Sequence, residues 1–293
     1  MIPPAGQHGG DGLAVAQALR LDPAHIVDLS MSMNPFAPDV AALAAEHLGA
    51  LRHYPNPKDA TAEVAAALGT EPGRVLLTNG GNEAISLVSR VLGGGVAAEP
   101  EFSLHPRSGR GPRWRSNPNN PRGVLARPDE TAEVWDEAFY PLATGNWTRG
   151  DAGTVAVGSL TKVFACPGLR LGYVIADSVA AVEAAQPAWS VNNLALSLLP
   201  TLLERADLPA WARQITVRRA ELSHLLAGYG LVALPSDAPW LLVPAPGLRE
   251  QLAPHGVVVR DCASFGLPGH ARIAVPDDRG LAVLEKALSC TAP

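Results

Sequence analysis

The apolar positions of the chain fall into short runs separated by polar and turn-forming stretches. Residues 74–78 (RVLLT), 154–158 (TVAVG) and 169–176 (LRLGYVIA) are compact apolar runs of strand length. Helical spacing occupies residues 40–48, 60–68 and 82–92, the last with Glu83 near its start, as a helix N-terminus favours. Residues 207–228 form the clearest helix, with an Asp cap, an early Pro and a terminal Gly. Beyond it the tail alternates: strands at 231–234, 240–243, 257–260 and 271–275, and helices at 248–253 and 281–288. Residues 93–127 read as a long irregular segment full of Gly, Pro and Arg. This pattern predicts a small α+β domain packed on an α/β domain. The expected division is an N-terminal segment, 1–35, folding back onto the others, a large domain, 36–215, and a small domain, 216–293.

Composition narrows the classes of function. The 293 residues are 47% hydrophobic and 17% charged, which suits a globular chain with a sizeable core. The net charge of −5 argues against a nucleic-acid or anionic-membrane footprint. No apolar run has spanning length, and the first residues lack the basic-then-apolar pattern of a signal peptide. The three cysteines, Cys166, Cys262 and Cys290, are too sparse for a disulfide framework and fit a reducing cytoplasm. No metal-ligand spacing occurs among the histidines.

The chemistry begins with a scarcity. Only Lys58, Lys162 and Lys286 are lysines in a chain otherwise supplied with Arg. Arg stays protonated, whereas Lys can lose its proton and attack a carbonyl. Lys162 sits in Ser159-Leu160-Thr161-Lys162, directly after an expected strand, with Arg170 eight residues on. Ligands of open α/β sheets bind at that edge. A lysine beside two hydroxyls and an Arg is what a Schiff-base site for a phosphorylated aldehyde cofactor needs; the plainer reading is a surface loop.

Three further motifs point the same way, each with a bland alternative. Thr78-Asn79-Gly80-Gly81-Asn82 joins a strand to a helix N-terminus, which can aim backbone N–H groups at an anion or simply turn the chain. In Asn117-Pro118-Asn119-Asn120-Pro121, Asn120 is held to donate to a ligand oxygen, unless the motif is only a rigid turn. Asp136, after Val134-Trp135, could pair with a protonated ring nitrogen or merely cap a helix. Asn192 and Asn193 read as a helix cap, and Arg213, Arg218 and Arg219 as the solvated face of the long helix.

The order of these pieces, above all 159–173 (SLTKVFACPGLRLGY) and NPNNP, resembles the fold-type I pyridoxal-phosphate enzymes of the class I/II aminotransferase superfamily. The resemblance runs from about His8 to Val275. It implies an α/β fold with a mostly parallel sheet in the large domain, pyridoxal 5'-phosphate as cofactor and a homodimer. It also implies roles: Lys162 bonds the cofactor and later moves the proton, Asp136 pairs with the ring nitrogen, Asn120 bonds the phenolic oxygen and Phe102 stacks on the ring. Gly81, Asn82, Ser159, Thr161 and Arg170 hold the cofactor phosphate, with Tyr54 reaching across from the partner subunit. Arg272 binds the substrate carboxylate, and His8, Asn34 and Arg260 are candidates for a substrate phosphate.

Within the superfamily the chain is similar to the histidinol-phosphate aminotransferase branch and, through His8-Gly9-Gly10, residues 28–35, His53-Tyr54-Pro55 and residues 259–262, to threonine-phosphate decarboxylases. The resemblance implies first a lyase acting on L-threonine O-3-phosphate in a cobalamin-type pathway, with a histidinol-phosphate type aminotransferase and a shortened non-catalytic relative as alternatives. Two departures stand out. Phe139 occupies a position where aminotransferases carry Tyr, and residues 103–135 are short, so the sheet is expected to lack elements and the pocket to be more open.

Overall fold

The computed structural model describes residues 2–107, 109–151 and 153–291. Its strands form two sheets. β1 (Val27–Leu29), β8 (Trp240–Pro244), β9 (Val257–Asp261) and β10 (His270–Ala274) make a four-stranded sheet in the order β1-β9-β10-β8. β2 (Val75–Asn79), β3 (Gly95–Val96), β4 (Arg113–Ser116), β5 (Val134–Asp136), β6 (Val155–Gly158) and β7 (Leu171–Ile175) make a six-stranded sheet in the order β2-β7-β6-β5-β4-β3. From β3 to β6 every pairing is parallel, and β7 is antiparallel to both its neighbours. The α/β class with a mostly parallel sheet is thus the observed architecture.

Alternation along the strands explains the layers. Val75 and Leu77 of β2, with Leu171 and Tyr173 of β7, face one core, shared with Val64 of the helix Lys58–Ala67 and with Leu198, Leu199 and Leu202 of the helix Asn193–Glu204. Leu76 and Val174 face the other, against Ala84, Ile85 and Val88 of the helix Gly80–Leu92. That helix starts at Gly80, earlier than its apolar spacing indicates, so the Gly-Gly pair is its first turn rather than a linker.

The small sheet buries Leu241, Val243, Val259 and Ile273 against the long helix Leu208–Gly228 and the C-terminal helix Asp278–Thr291. In the long helix Trp211 packs into the large-domain core, while Ile215, Leu222 and Leu226 pack on the small sheet. The expected 215/216 division is therefore a point inside a continuous helix that serves both cores. The N-terminal segment joins the small sheet: β1 runs parallel to β9, with Val27 opposite Val257 and Leu29 opposite Val259. Its helix Gly12–Leu19 packs Val15 on Val258.

Three local expectations need correction. Residues 231–234 form no strand; Leu234 N donates to the Leu242 carbonyl, while Leu231 and Ala233 rest partly buried on the small-domain core. The irregular 93–127 segment contains β3 and β4, because Trp114 at 0% exposure anchors a strand that the surrounding Gly and Arg hide. Arg219 is not solvated: its guanidinium donates to the carbonyls of Asp237 and Ala238. Among the described residues no helix is long and apolar enough to cross a membrane, and no cluster of His, Cys, Asp and Glu could hold a metal.

Candidate active site

The C-terminal ends of β4, β5 and β6 point the same way, and so does the end of β2, which leads into the helix Gly80–Leu92. A cavity of about 310 Å³ opens there, between the two sheets. From the large domain its wall takes Gly81 and Asn82, Phe102, Asn120, Asp136, Phe139, Gly158, Ser159, Thr161 and Lys162. From the small sheet and the N-terminal segment it takes Arg260, Phe265, Arg272, His8 and the residues after β1.

Each feature of this wall has a local cause. β6 ends at Gly158, where an added Cβ would stand 2.1 Å from the Tyr173 ring, so only glycine lets β6 and β7 meet there. Ser159 then starts a one-turn helix, Leu160–Val163, that carries Lys162. Thr161 staples this turn to β7: its Oγ1 donates to the Leu171 carbonyl at 3.1 Å and accepts from Leu171 N at 3.0 Å. The hydroxyl expected to hold a phosphate is thus committed to the fold. Gly80, at φ +80, leaves room for the Arg170 guanidinium; a Cβ there would lie 2.6 Å from Arg170 Nη2. The first N–H groups of the Gly80–Leu92 helix have no intrahelical partners, so Gly81 and Asn82 offer donors beside Arg170.

The electrostatics are lopsided. Lys162, Arg170, Arg260 and Arg272 line the cavity with His8, against one carboxylate, Asp136. Burial, with repulsion from Arg272 and Arg170 and partial relief from Asp136, lowers Lys162 to about 8. Its Nζ lies 5.8 Å from the Phe139 ring centre. Burial likewise lowers Arg272 to about 10. Its guanidinium donates to Asn120 Oδ1 at 2.6 Å and to the Ser30 carbonyl at 3.3 Å, and lies 5.0 Å from the Trp240 ring centre. Among the described residues it has no carboxylate partner. A buried cation without one is costly, and the arrangement calls for an anion from outside.

Asp136 ends β5. Its Oδ1 accepts from Ala138 N at 3.0 Å and its Oδ2 meets His105 Nε2 at 2.9 Å. His105 escapes sequence reasoning because it lies in the irregular segment; its place three residues after Phe102 is the only signal. Phe265 and Met31, also on the wall, carry no motif.

Not every expected residue reaches the cavity. Asn34 is buried beneath it: Nδ2 donates to the Val163 carbonyl at 2.9 Å and Oδ1 accepts from Phe36 N at 3.0 Å. It supports the Lys162 turn from outside the cavity wall and does not face a substrate phosphate there. Arg260 is on the wall but also holds the N-terminal segment, donating to the Gly6 and Gln7 carbonyls and to Ser264 Oγ. Tyr54 lies outside the cavity, 78% exposed and packed on Trp189 at 4.8 Å. Asn192 is a cap, accepting from Ala195 N at 2.8 Å.

The donor set fits pyridoxal 5'-phosphate: a partly neutral amine, a carboxylate suited to a ring nitrogen, an amide, and an Arg with helix N-terminal amides for a phosphate. Comparisons with known proteins agree. The model of the family "Aminotransferase class I and II" matches residues 114–288. Histidinol-phosphate aminotransferase 1 of Dechloromonas aromatica is 26% identical over 90% of this chain and 90% of its own. That alignment spans 328 positions, more than the 293 residues here, so the chain lacks residues its relative has. Among solved structures, histidinol-phosphate aminotransferase from Sinorhizobium meliloti in complex with pyridoxal-5'-phosphate superposes with a TM-score of 0.80, at 17% identity over 96% of this chain and 94% of that one. L-threonine-O-3-phosphate decarboxylase from Porphyromonas gingivalis gives 0.73, at 22% identity over 88% and 98%.

Proposed function

The chain belongs to the class I and II aminotransferase family, and from that premise we propose that it is an aminotransferase for a small phosphorylated amino substrate of the histidinol-phosphate type. Its cofactor is pyridoxal 5'-phosphate, which when bound supplies an aldehyde carbon and an electron-accepting ring. The observation that carries the proposal is the surplus of buried cations around one nucleophilic amine: the cavity has charge for a cofactor phosphate and, in turn, for the phosphate of an amino donor and the carboxylate of a keto-acid acceptor.

In this reading Lys162 would hold the cofactor at its aldehyde carbon and would move a proton at the substrate Cα. Its lowered proton affinity serves both tasks, since a nucleophile and a base each need the neutral amine. Asp136 would be the partner of the ring nitrogen. Asn120, its Oδ1 held by Arg272, presents Nδ2 to the phenolic oxygen. Phe102 covers the ring. Ser159, Arg170 and the amides of Gly81 and Asn82 hold the phosphate, while Thr161 acts through the backbone. Arg272 takes the carboxylate of 2-oxoglutarate or, in the reverse direction, of glutamate, and Arg260 with His8 takes the phosphate of the phosphorylated substrate at the N-terminal side. Tyr54 reaches the second site of a homodimer, which its exposure leaves it free to do.

Decarboxylation, the leading reading of the motifs, becomes the second one. The relative matched along 90% of its length is a histidinol-phosphate aminotransferase, and that supports transamination. One observation keeps decarboxylation in play. Phe139 packs edge-on against Trp240 at 4.7 Å and offers no phenol where an aminotransferase's Tyr would donate. Two assays separate the readings. Amino transfer from histidinol phosphate to 2-oxoglutarate, yielding glutamate, is expected. Release of carbon dioxide from threonine O-3-phosphate without a keto acid would reverse the order.

A further inference from the structure

Asp136 is the near end of a buried chain of titratable groups. His105 Nε2 meets Asp136 Oδ2 at 2.9 Å, and His105 Nδ1 faces Glu101 Oε2 at 3.6 Å. Both newcomers are deep in the protein, His105 at 2% exposure and Glu101 at 3%. The imidazole is enclosed: its side chain is fully buried, with Phe102 packed edge-on to it at 5.7 Å and Trp114, tilted by 39°, at 5.5 Å. His105 Nδ1 has no hydrogen-bond partner, so the Glu101 carboxyl is the polar group it faces.

Glu101 is itself firmly placed. Ser116 donates to it from both N, at 3.2 Å, and Oγ, and Asn119 Nδ2 donates to Oε1 at 3.1 Å. Ser116 Oγ in turn accepts from Asn120 N at 2.9 Å, and Ser116 is the β4 partner of Asp136. One side chain therefore underlies both Asp136 and Asn120. Burial and the charge of Asp136 raise the Glu101 carboxyl above its ordinary range, while Ser116 and His105 oppose the rise. The other charged groups nearby are Arg107, spent on Glu99 and on main-chain carbonyls including those of Glu101 and His105, and Glu99 itself.

We propose that Glu101 is a positioning residue for the reaction: with His105 it retains a proton inside the protein, which keeps His105 Nε2–H donated to Asp136 and keeps Asp136 an ionised acceptor toward the cavity. Mere scaffolding of Ser116 requires an acceptor oxygen at the Oε2 position, which Gln supplies at the loss of the Asn119 donation to Oε1. Retention of the proton requires the carboxyl. The inference rests on Asp136 as the partner of the cofactor ring.

The test follows the His105 ring by nitrogen NMR in the full-length, ¹⁵N-histidine-labelled protein, with and without added pyridoxal 5'-phosphate, the signals being assigned by His105→Asn. In Glu101→Gln the His105 titration midpoint is expected to fall by about one pH unit or more, roughly a tenfold loss of proton affinity. Glu101→Asp is expected to give a smaller fall. The same Gln variant is expected to bind pyridoxal 5'-phosphate roughly tenfold more weakly and to shift the pH midpoint of the cofactor's visible absorbance. An unmoved His105 midpoint overturns the proposal, even if the variant melts at a lower temperature. Should Glu101→Gln fail to fold, Glu101→Asp decides by the same criterion. The two ideas fail separately: cofactor binding with an unmoved His105 removes the proton pair alone, whereas a moved His105 in a chain that takes up no cofactor removes the cofactor reading alone.

Discussion

Arg272 Nη1 donates to Asn120 Oδ1 at 2.6 Å, tying β10 of the small sheet to the loop that follows β4 of the large one. Two residues expected to serve different molecules are thus one unit, and the bond crosses the cleft in which the cavity lies. It fixes the Asn120 amide with its oxygen turned to Arg272, and it holds the guanidinium where Trp240 and Phe265 flank it.

Removing that cation should separate substrate binding from cofactor binding. Arg272→Met is expected to retain the cofactor while kcat/KM for glutamate as amino donor falls roughly a hundredfold, about 3 kcal/mol. Because Arg272 is among the groups that lower Lys162, the acid limb of the pH–rate profile, set by loss of the Lys162 proton, should also move up. Steady-state kinetics across pH reads both effects.

Lys162 makes stability depend on pH in a definite direction. The folded chain gives up this proton near 8, whereas an unfolded lysine keeps it until about 10.5. Between those values the unfolded state binds more protons, so this group's contribution to stability rises with pH. Denaturant titrations of the cofactor-free protein should show the rise, and Lys162→Met should flatten it.

Glu137 gives the opposite slope at lower pH. It is 1% exposed, among the described residues its Oε2 has no hydrogen-bond partner, and burial raises its carboxyl from 4.5 to about 7. As pH rises from 4.5 toward 7 the unfolded state loses this proton first, so the group's contribution to stability falls. Glu137→Gln keeps the shape without the charge. It is expected to melt higher than wild type at pH 8, by roughly 1–3 kcal/mol of stability, with little difference at pH 4.

Much of this architecture was legible in the pattern, and the exceptions have physical reasons. The β6–turn–β7 unit stood out because the strands are buried on both faces and the scarce lysine follows the first. The helix after β2 was readable from its apolar spacing, except for its Gly80-Gly81 first turn. Roles that depend on where a polar atom points were not. Thr161 looked like a phosphate ligand until its hydroxyl met Leu171, and Asn34 looked exposed to substrate until both ends of its amide were taken by backbone. Trp114 and His105 were hidden by neighbouring Gly, Pro and Arg residues, since a strand of four residues held by one buried indole leaves no periodicity to detect.

Gly80 offers a check on the cradle beside Arg170. At φ +80 a Cβ costs roughly 1–2 kcal/mol, and here it would also press on Arg170 Nη2. Gly80→Ala is expected to raise the Kd for pyridoxal 5'-phosphate about tenfold, a loss of about 1.4 kcal/mol. Free pyridoxal, which lacks the phosphate, should bind both proteins alike.

The central claim is that one amine carries the chemistry, and the scarcity of lysines makes it directly measurable. The protein mixed with pyridoxal 5'-phosphate is reduced with borohydride, digested and mapped by mass spectrometry. The account predicts the cofactor's mass on the peptide containing Lys162 and its loss in Lys162→Ala. Labelling of Lys58 or Lys286 in its place, or of no lysine, would contradict it.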